Sequence, residues 1–101
     1  MNWINLSELK GDLKSMRDEY LIFHCEVIKL SKRTSKKGNV FGILEVKNNC
    51  SQTKLFLFRE DFLKFQRFGS RGGQLLIKGR AQKQKFSENY GFKIIEIQDL
   101  F

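Results

Sequence analysis

Proline is absent from the 101 residues, histidine and tryptophan occur once each, and cysteine occurs twice. Without proline there is neither a proline-rich linker nor a Pro-marked boundary to divide the chain. His24 by itself cannot build a histidine metal cluster or a Ser-His relay. Cys25 and Cys50 show no metal-ligand spacing and no CxxC pairing. They read as reduced thiols of a cytosolic protein, Cys25 on a strand and Cys50 in a turn, too few for a disulfide framework. There is no apolar core of the signal-peptide kind near the N-terminus, and no run long enough to cross a bilayer. Glu60 and Asp61 adjoin in sequence and so diverge on a helix, which leaves paired-carboxylate catalysis with little support. No metal, cofactor or catalytic group is expected, and no membrane partner.

What is present is positive charge and apolar content together. The formal net charge is +8 with a pI near 9.7, which implies a positive field over much of the surface and an anionic partner. With 41% hydrophobic and 13% aromatic residues the chain is not disordered, although 30% of it is charged. Its length suits one domain with one core.

Trp3, Ile4, Leu6, Leu9, Leu13 and Met16 are spaced as a short amphipathic lead-in, with a helix start at Ser7 and Glu8 and an interruption at Gly11. From Tyr20 to Leu30 the pattern is extended, with Leu21, Phe23, Cys25 and Val27 on one face. Residues 31–39 read as a polar, basic loop that turns at Gly38. A second strand runs from Asn39 to Lys47 and a third from Thr53 to Phe58, joined by a polar turn. The period then becomes helical: Glu60 and Asp61 suit a first turn, Phe62, Leu63, Phe65 and Phe68 supply an apolar stripe, and Gly69 stands at the C-terminal cap. Residues 69–73 look superficially like a phosphate loop but lack the Gly-Lys-Ser/Thr ending and precede a strand. Strands four and five start at Gln74 and Tyr90, with Gly79 permitting a bend. Phe92, Ile94 and Glu96 are expected on one side of the last strand.

Three strands, one helix and two strands, after a lead-in over residues 1–19, is the order of an OB-fold: a mainly β, five-stranded, partly open barrel with its helix plugging one end. The barrel is expected over residues 20–100. An SH3-like small barrel is the alternative, disfavoured by the position of the helix.

Three segments carry a family resemblance: 36–44 (KKGNVFGIL), 54–58 (KLFLF) and 76–80 (LIKGR). Together they resemble the OB domain of the bacterial DNA polymerase III alpha subunit, in the form found in Bacteroidetes-like polymerases. The likeness covers roughly residues 20–100. Asn48, Ser51 and Lys54 depart from the family's pattern and make the face more basic. The resemblance implies a non-catalytic domain of a larger polymerase subunit that contacts single-stranded template. The chain's ending just after an alternating strand is in keeping with a domain excised from something longer.

The expected contacts follow from the alternation. If Leu44 and Val46 point inward, Phe41, Ile43 and Glu45 lie on the opposite face; if Leu55 and Leu57 point inward, Lys54 and Phe56 share the outer face. Phe41 and Phe56 are therefore candidates to stack on bases. Lys32, Arg33, Lys36 and Lys37 are candidate phosphate contacts at one wall of the groove; Arg80, Lys83 and Lys85 are candidates at the other, where Phe86 and Tyr90 bracket the turn and either stack on bases or pin the hairpin. Three functions remain open at this level. One is single-stranded DNA binding without sequence specificity, weakening with salt. The second is docking of other polymerase domains or replisome proteins. The third is RNA binding through 2′-hydroxyls. A cytoplasmic domain, monomeric when isolated, is expected in each case.

Overall fold

The computed structural model describes residues 2–11, 13–83 and 89–100. It contains six strands: β1 (Asn2–Trp3), β2 (Tyr20–Thr34), β3 (Val40–Lys47), β4 (Gln52–Phe58), β5 (Gln74–Lys83) and β6 (Tyr90–Asp99). Among the described residues the single α-helix, α1 (Glu60–Phe65), lies between β4 and β5 and runs into a 3₁₀ turn, Gln66–Phe68. The hydrogen-bonded order is β4-β3-β2-β5-β6, with β1 parallel to the start of β2. The five-stranded barrel of the sequence reading is thus corrected to six strands in a curved sheet that does not close.

The lead-in explains both differences. β3 parts from β2 at Glu26, which leaves one edge of β2 without a ladder partner nearer its start. Buried backbone groups need partners. β1 supplies them opposite Leu21 and Ile22, and the Ile4 N–H adds a bond to the Ile22 carbonyl at 2.9 Å. The rest of the lead-in forms two 3₁₀ turns, Leu6–Lys10 and Leu13–Met16, on either side of the interruption expected at Gly11. The first packs against β4 and the second against β5 and β6. Leu6 is fully buried in one cluster with Leu55 and Leu57 of β4 and Ile97 of β6. Side-chain packing therefore joins the two ends of the sheet where a backbone ladder would close a barrel.

The inner face holds the core, and the expected alternation is observed. Leu21, Phe23, Cys25 and Val27 of β2, Leu44 and Val46 of β3, and Leu55 and Leu57 of β4 are all buried. In β5, Leu75, Ile77 and Ala81 face the same interior. In β6 an extra residue, Ile95, shifts the register between the pairs Lys78–Glu96 and Gly79–Ile94. Ile94 and Ile97 consequently both point inward, and Glu96 is exposed, against the expectation that it shares the side of Phe92 and Ile94. In α1 the acids Glu60 and Asp61 occupy the first turn and Lys64 the last, as the helix dipole favours. Phe62 and Phe65 are buried, each contributing roughly 1.5–3 kcal/mol. Leu63 falls outside the stripe and is 69% exposed. Gly69 closes the turn with φ −83°, a right-handed conformation and not the left-handed cap. Asp61 pairs with Lys93, linking α1 to β6 across the unclosed side.

Among the described residues no helix is long and apolar enough to cross a membrane. Both cysteines are free, Cys25 buried and Cys50 exposed. Burial pushes the Cys25 thiol up to about 12, so at neutral pH it carries essentially no thiolate, the reactive form. A thiol reagent at pH 7.5 should label one site on the native protein, Cys50, and two after denaturation; mass spectrometry reads the count. Gly79 gives a second expectation. A Cβ there would stand 2.3 Å from Phe92 Cζ and 2.4 Å from the Lys93 carbonyl oxygen, and the backbone atom has nowhere to go. Gly79→Ala should cost about 1–3 kcal/mol in a denaturant melt.

Candidate nucleic-acid interface

The outer face of β2, β3 and β4 is an ordered set of cross-strand rows. The ladders place Arg33 beside Phe41 and Phe41 beside Phe58; the next row is Ser31, Ile43 and Phe56; the next is Lys29, Glu45 and Lys54. Side chains in a row stand close enough to touch. The Phe41 and Phe58 rings have centroids 5.6 Å apart at 38°, and Phe56 and Phe58 are stacked at 6.0 Å and 8°. Phe56 is 50% exposed and Phe58 59%, so half of each ring faces water. Phe41 and Ile43 are half-buried at their sides.

The positive rim comes from the β2–β3 hairpin. Its loop is built by short-range bonds: the Ser35 N–H donates to the Asn39 carbonyl (2.8 Å), the Gly38 N–H to the Ser35 carbonyl (2.9 Å) and the Asn39 N–H to Ser35 Oγ (3.1 Å). Gly38 takes φ +84°, a conformation open to glycine without penalty. This leaves Lys36 and Lys37 exposed at the tip. The sequence reading puts Lys32 and Arg33 in that loop, but β2 continues to Thr34 and carries both. Strand alternation then separates them: Arg33 joins the aromatic row, while Lys32, opposite Gly42, belongs to the other face. None of Arg33, Lys36, Lys37 and Lys54 makes an ion pair among the described residues. Lys29 does, with Glu45 at 3.5 Å.

The opposite wall differs from expectation. Arg80 lies across from Tyr20 at the start of β2, the far end of that strand from Arg33. Its guanidinium is 2.9 Å from Asp18 and 5.8 Å from the Tyr20 ring, with Lys78 Nζ also over that ring at 5.3 Å. Arg80 is thereby engaged within the fold. Lys83 pairs in register with Tyr90 at the hairpin end. Tyr90 is half-buried and packs on the small cluster of Leu13, Leu21 and Ala81, so its ring pins the β5–β6 hairpin. Lys85 and Phe86, with the turn expected at Ser87 and Glu88, lie outside the described residues. The structure thus assembles Arg33, Lys36, Lys37, Phe41, Ile43, Lys54 and Phe56 on or beside one end of the outer face; Arg80 lies at the other end of that face, engaged with Asp18, and Tyr90 packs on the inner cluster. Phe58 and Lys29 are additions. Phe58 was legible, since it continues the alternation of Lys54 and Phe56.

Among the described residues there is no group of three His, Cys, Asp or Glu side chains suited to a metal ion. Chemically, the face offers ring surfaces, cations and one carboxylate. That combination fits an extended anionic polymer with planar groups.

No protein-family model matches the chain, and no curated protein does. Among solved structures it is similar to the second OB-fold domain of replication protein A from Methanococcus maripaludis, determined by NMR. The TM-score is 0.56 at 17% sequence identity, over 98% of this chain and 95% of that one. The likeness shows the fold: the protein is an OB-fold with an unclosed sheet and an added N-terminal strand.

If the exposed rings serve a ligand and not the fold, their removal should leave stability nearly untouched. Phe56→Ala with Phe58→Ala should shift the unfolding free energy by no more than about 1 kcal/mol per site, the worth of the cross-strand ring contacts they lose. Phe23→Ala in the core should lose about 3–5 kcal/mol in the same denaturant titration.

Proposed function

We infer that this domain binds single-stranded DNA without sequence specificity, as an accessory module of the replication machinery. The observation that carries the reading is the Phe41–Phe58–Phe56 ring ladder on a strand face, with Phe56 and Phe58 exposed and Phe41 half-buried, flanked by the cations Arg33, Lys36 and Lys37, which make no ion pair among the described residues. Bases stack on such rings whatever their identity, each worth about 1–3 kcal/mol, while lysine and arginine neutralise the phosphates. The replication protein named for the structural neighbour and the resemblance to the polymerase III alpha subunit both support a place in replication. Within a polymerase subunit the domain would hold template strand ahead of the active site and perform no chemistry of its own. Its own affinity would then be weak, because neighbouring domains raise the effective concentration. In this reading the isolated domain is a cytoplasmic monomer.

The test is fluorescence anisotropy of a labelled oligo-dT of about 15 nucleotides, within the range of one OB domain. Binding should saturate and weaken with salt, the logarithmic slope falling by about 0.7 for each phosphate contact removed. The Phe41→Ala, Lys36→Ala, Lys37→Ala variant, folded by circular dichroism, should lose most of the affinity and about 1.4 of the slope. Equal or tighter binding of oligo-rU would move the assignment to RNA. No binding at low salt and high protein concentration would overturn it in favour of protein docking.

A further inference from the structure

Trp3 is the only tryptophan of the chain and stands 67% exposed. The lead-in stripe of the sequence reading buries its other members: Leu6 and Leu13 are buried, and Ile4, Leu9 and Met16 pack against the core clusters. Trp3 alone is left in solvent. It pairs in parallel register with Ile22, and paired residues share a face. Ile22 belongs to the outer face, because Leu21 and Phe23 on either side of it point into the core. Trp3 therefore projects on the side of the sheet that also carries Phe41, Phe56 and Phe58, beyond the end of β3.

A cavity of about 370 Å³ opens at that position, lined by Trp3, Ile4, Asn5, Leu6, Glu8, His24 and Asn48. Its size falls at the lower end of small-ligand sites. The lining is a ring, a carboxylate, two amides and an imidazole, with no lysine or arginine. Glu8 is held in place, since Oε2 accepts the Asn5 N–H at 2.6 Å. Asn48 is held too: Oδ1 accepts the N–H groups of Cys50 (2.9 Å) and Ser51 (2.8 Å). Its side-chain NH₂ remains as a donor. Fixed donors and acceptors around an exposed indole, without a cation, suit a neutral planar ligand with a polar edge. A phosphate would meet the Glu8 carboxylate and no cation among the lining residues.

We propose that this cavity is a second base-binding subsite, in which Trp3 stacks on an unpaired nucleobase and Glu8, His24 and Asn48 meet its edge. The proposal rests on the single-strand reading above: the base belongs to the same strand that crosses the phenylalanine ladder. The two sites lie at opposite ends of the outer face of β2, from the Arg33 row to Ile22. The strand rises about 3.3 Å per residue, so an oligonucleotide confined to the phenylalanines does not reach Trp3, whereas one of about 15 nucleotides does.

Because Trp3 is unique, its emission reports this cavity alone. The full chain is titrated with unlabelled oligo-dT of about 15 nucleotides while anisotropy of the labelled strand follows total binding. The expected result is saturable quenching of Trp3 emission in step with binding. Trp3→Ala should weaken the long strand on the order of tenfold and leave a strand of about 5 nucleotides unaffected. Trp3→Phe, which keeps a ring, should recover most of the loss, separating stacking from a folding defect. Binding by anisotropy with unchanged Trp3 emission, or with full affinity in Trp3→Ala, overturns the subsite and leaves the phenylalanine face standing. Absence of any oligonucleotide binding overturns both readings. Trp3 emission that responds instead to an added replisome protein in that case assigns the cavity to protein docking.

Discussion

β2 has to satisfy two ladders with one backbone, and the rest of the molecule is arranged around that constraint. It is 15 residues long. Its first part pairs with β5 from Tyr20 to Glu26, and its second part pairs with β3 from Glu26 to Thr34. The change of partner coincides with a register shift between Val27 and Lys29. Such an irregularity bends a strand and increases its twist. Phe23, Cys25 and Val27 stay inside the curve on one side of it, and Lys29, Ser31 and Arg33 are delivered to the outside on the other. The edge that β3 leaves open near the start of β2 is taken by β1, which is how Trp3 reaches the outer face.

Charge follows the same division. The chain is strongly basic, yet many of its acids are placed beside cations that serve the fold. Glu26 lies 3.6 Å from Lys47, Glu45 lies 3.5 Å from Lys29, Asp18 holds Arg80, and Asp61 pairs with Lys93. These exposed pairs are individually worth little, but they determine which cations remain uncompensated. Those left over include the pair at the tip of the β2–β3 loop and Arg33 in the strand below it. Positive charge without an acidic partner thus stands beside the rings.

Much of the outer face was legible from period two. Leu44 and Val46 alternate with Phe41, Ile43 and Glu45, and Leu55 and Leu57 with Lys54 and Phe56, so burying one set exposes the other. Phe58 follows by the same rule. Lys32 and Arg33 read as loop because a strand that projects past the core loses its apolar alternation; only pairing with Gly42 and Phe41 marks it as a strand. Arg80 was assigned to the groove because its type and position allow it. Its partner Asp18 lies 62 residues away in sequence, a contact no local pattern encodes. Tyr90 likewise looked available until its ring was placed against Leu13, Leu21 and Ala81.

The sequence by itself determined the β-rich class, the position of the helix, the buried and exposed faces of the strands, and the basic hairpin. Each of these depends on short-range periodicity or on the φ of one glycine, and a linear pattern records both. The tertiary structure alone decided that the sheet stays unclosed, that a sixth strand adds to it, that Arg80 is engaged, and that Trp3 is exposed beside a polar cavity. Those outcomes depend on which distant backbone edge or carboxylate a residue meets. Hydrogen-bond and charge satisfaction across the fold set that choice, and neighbours along the chain do not.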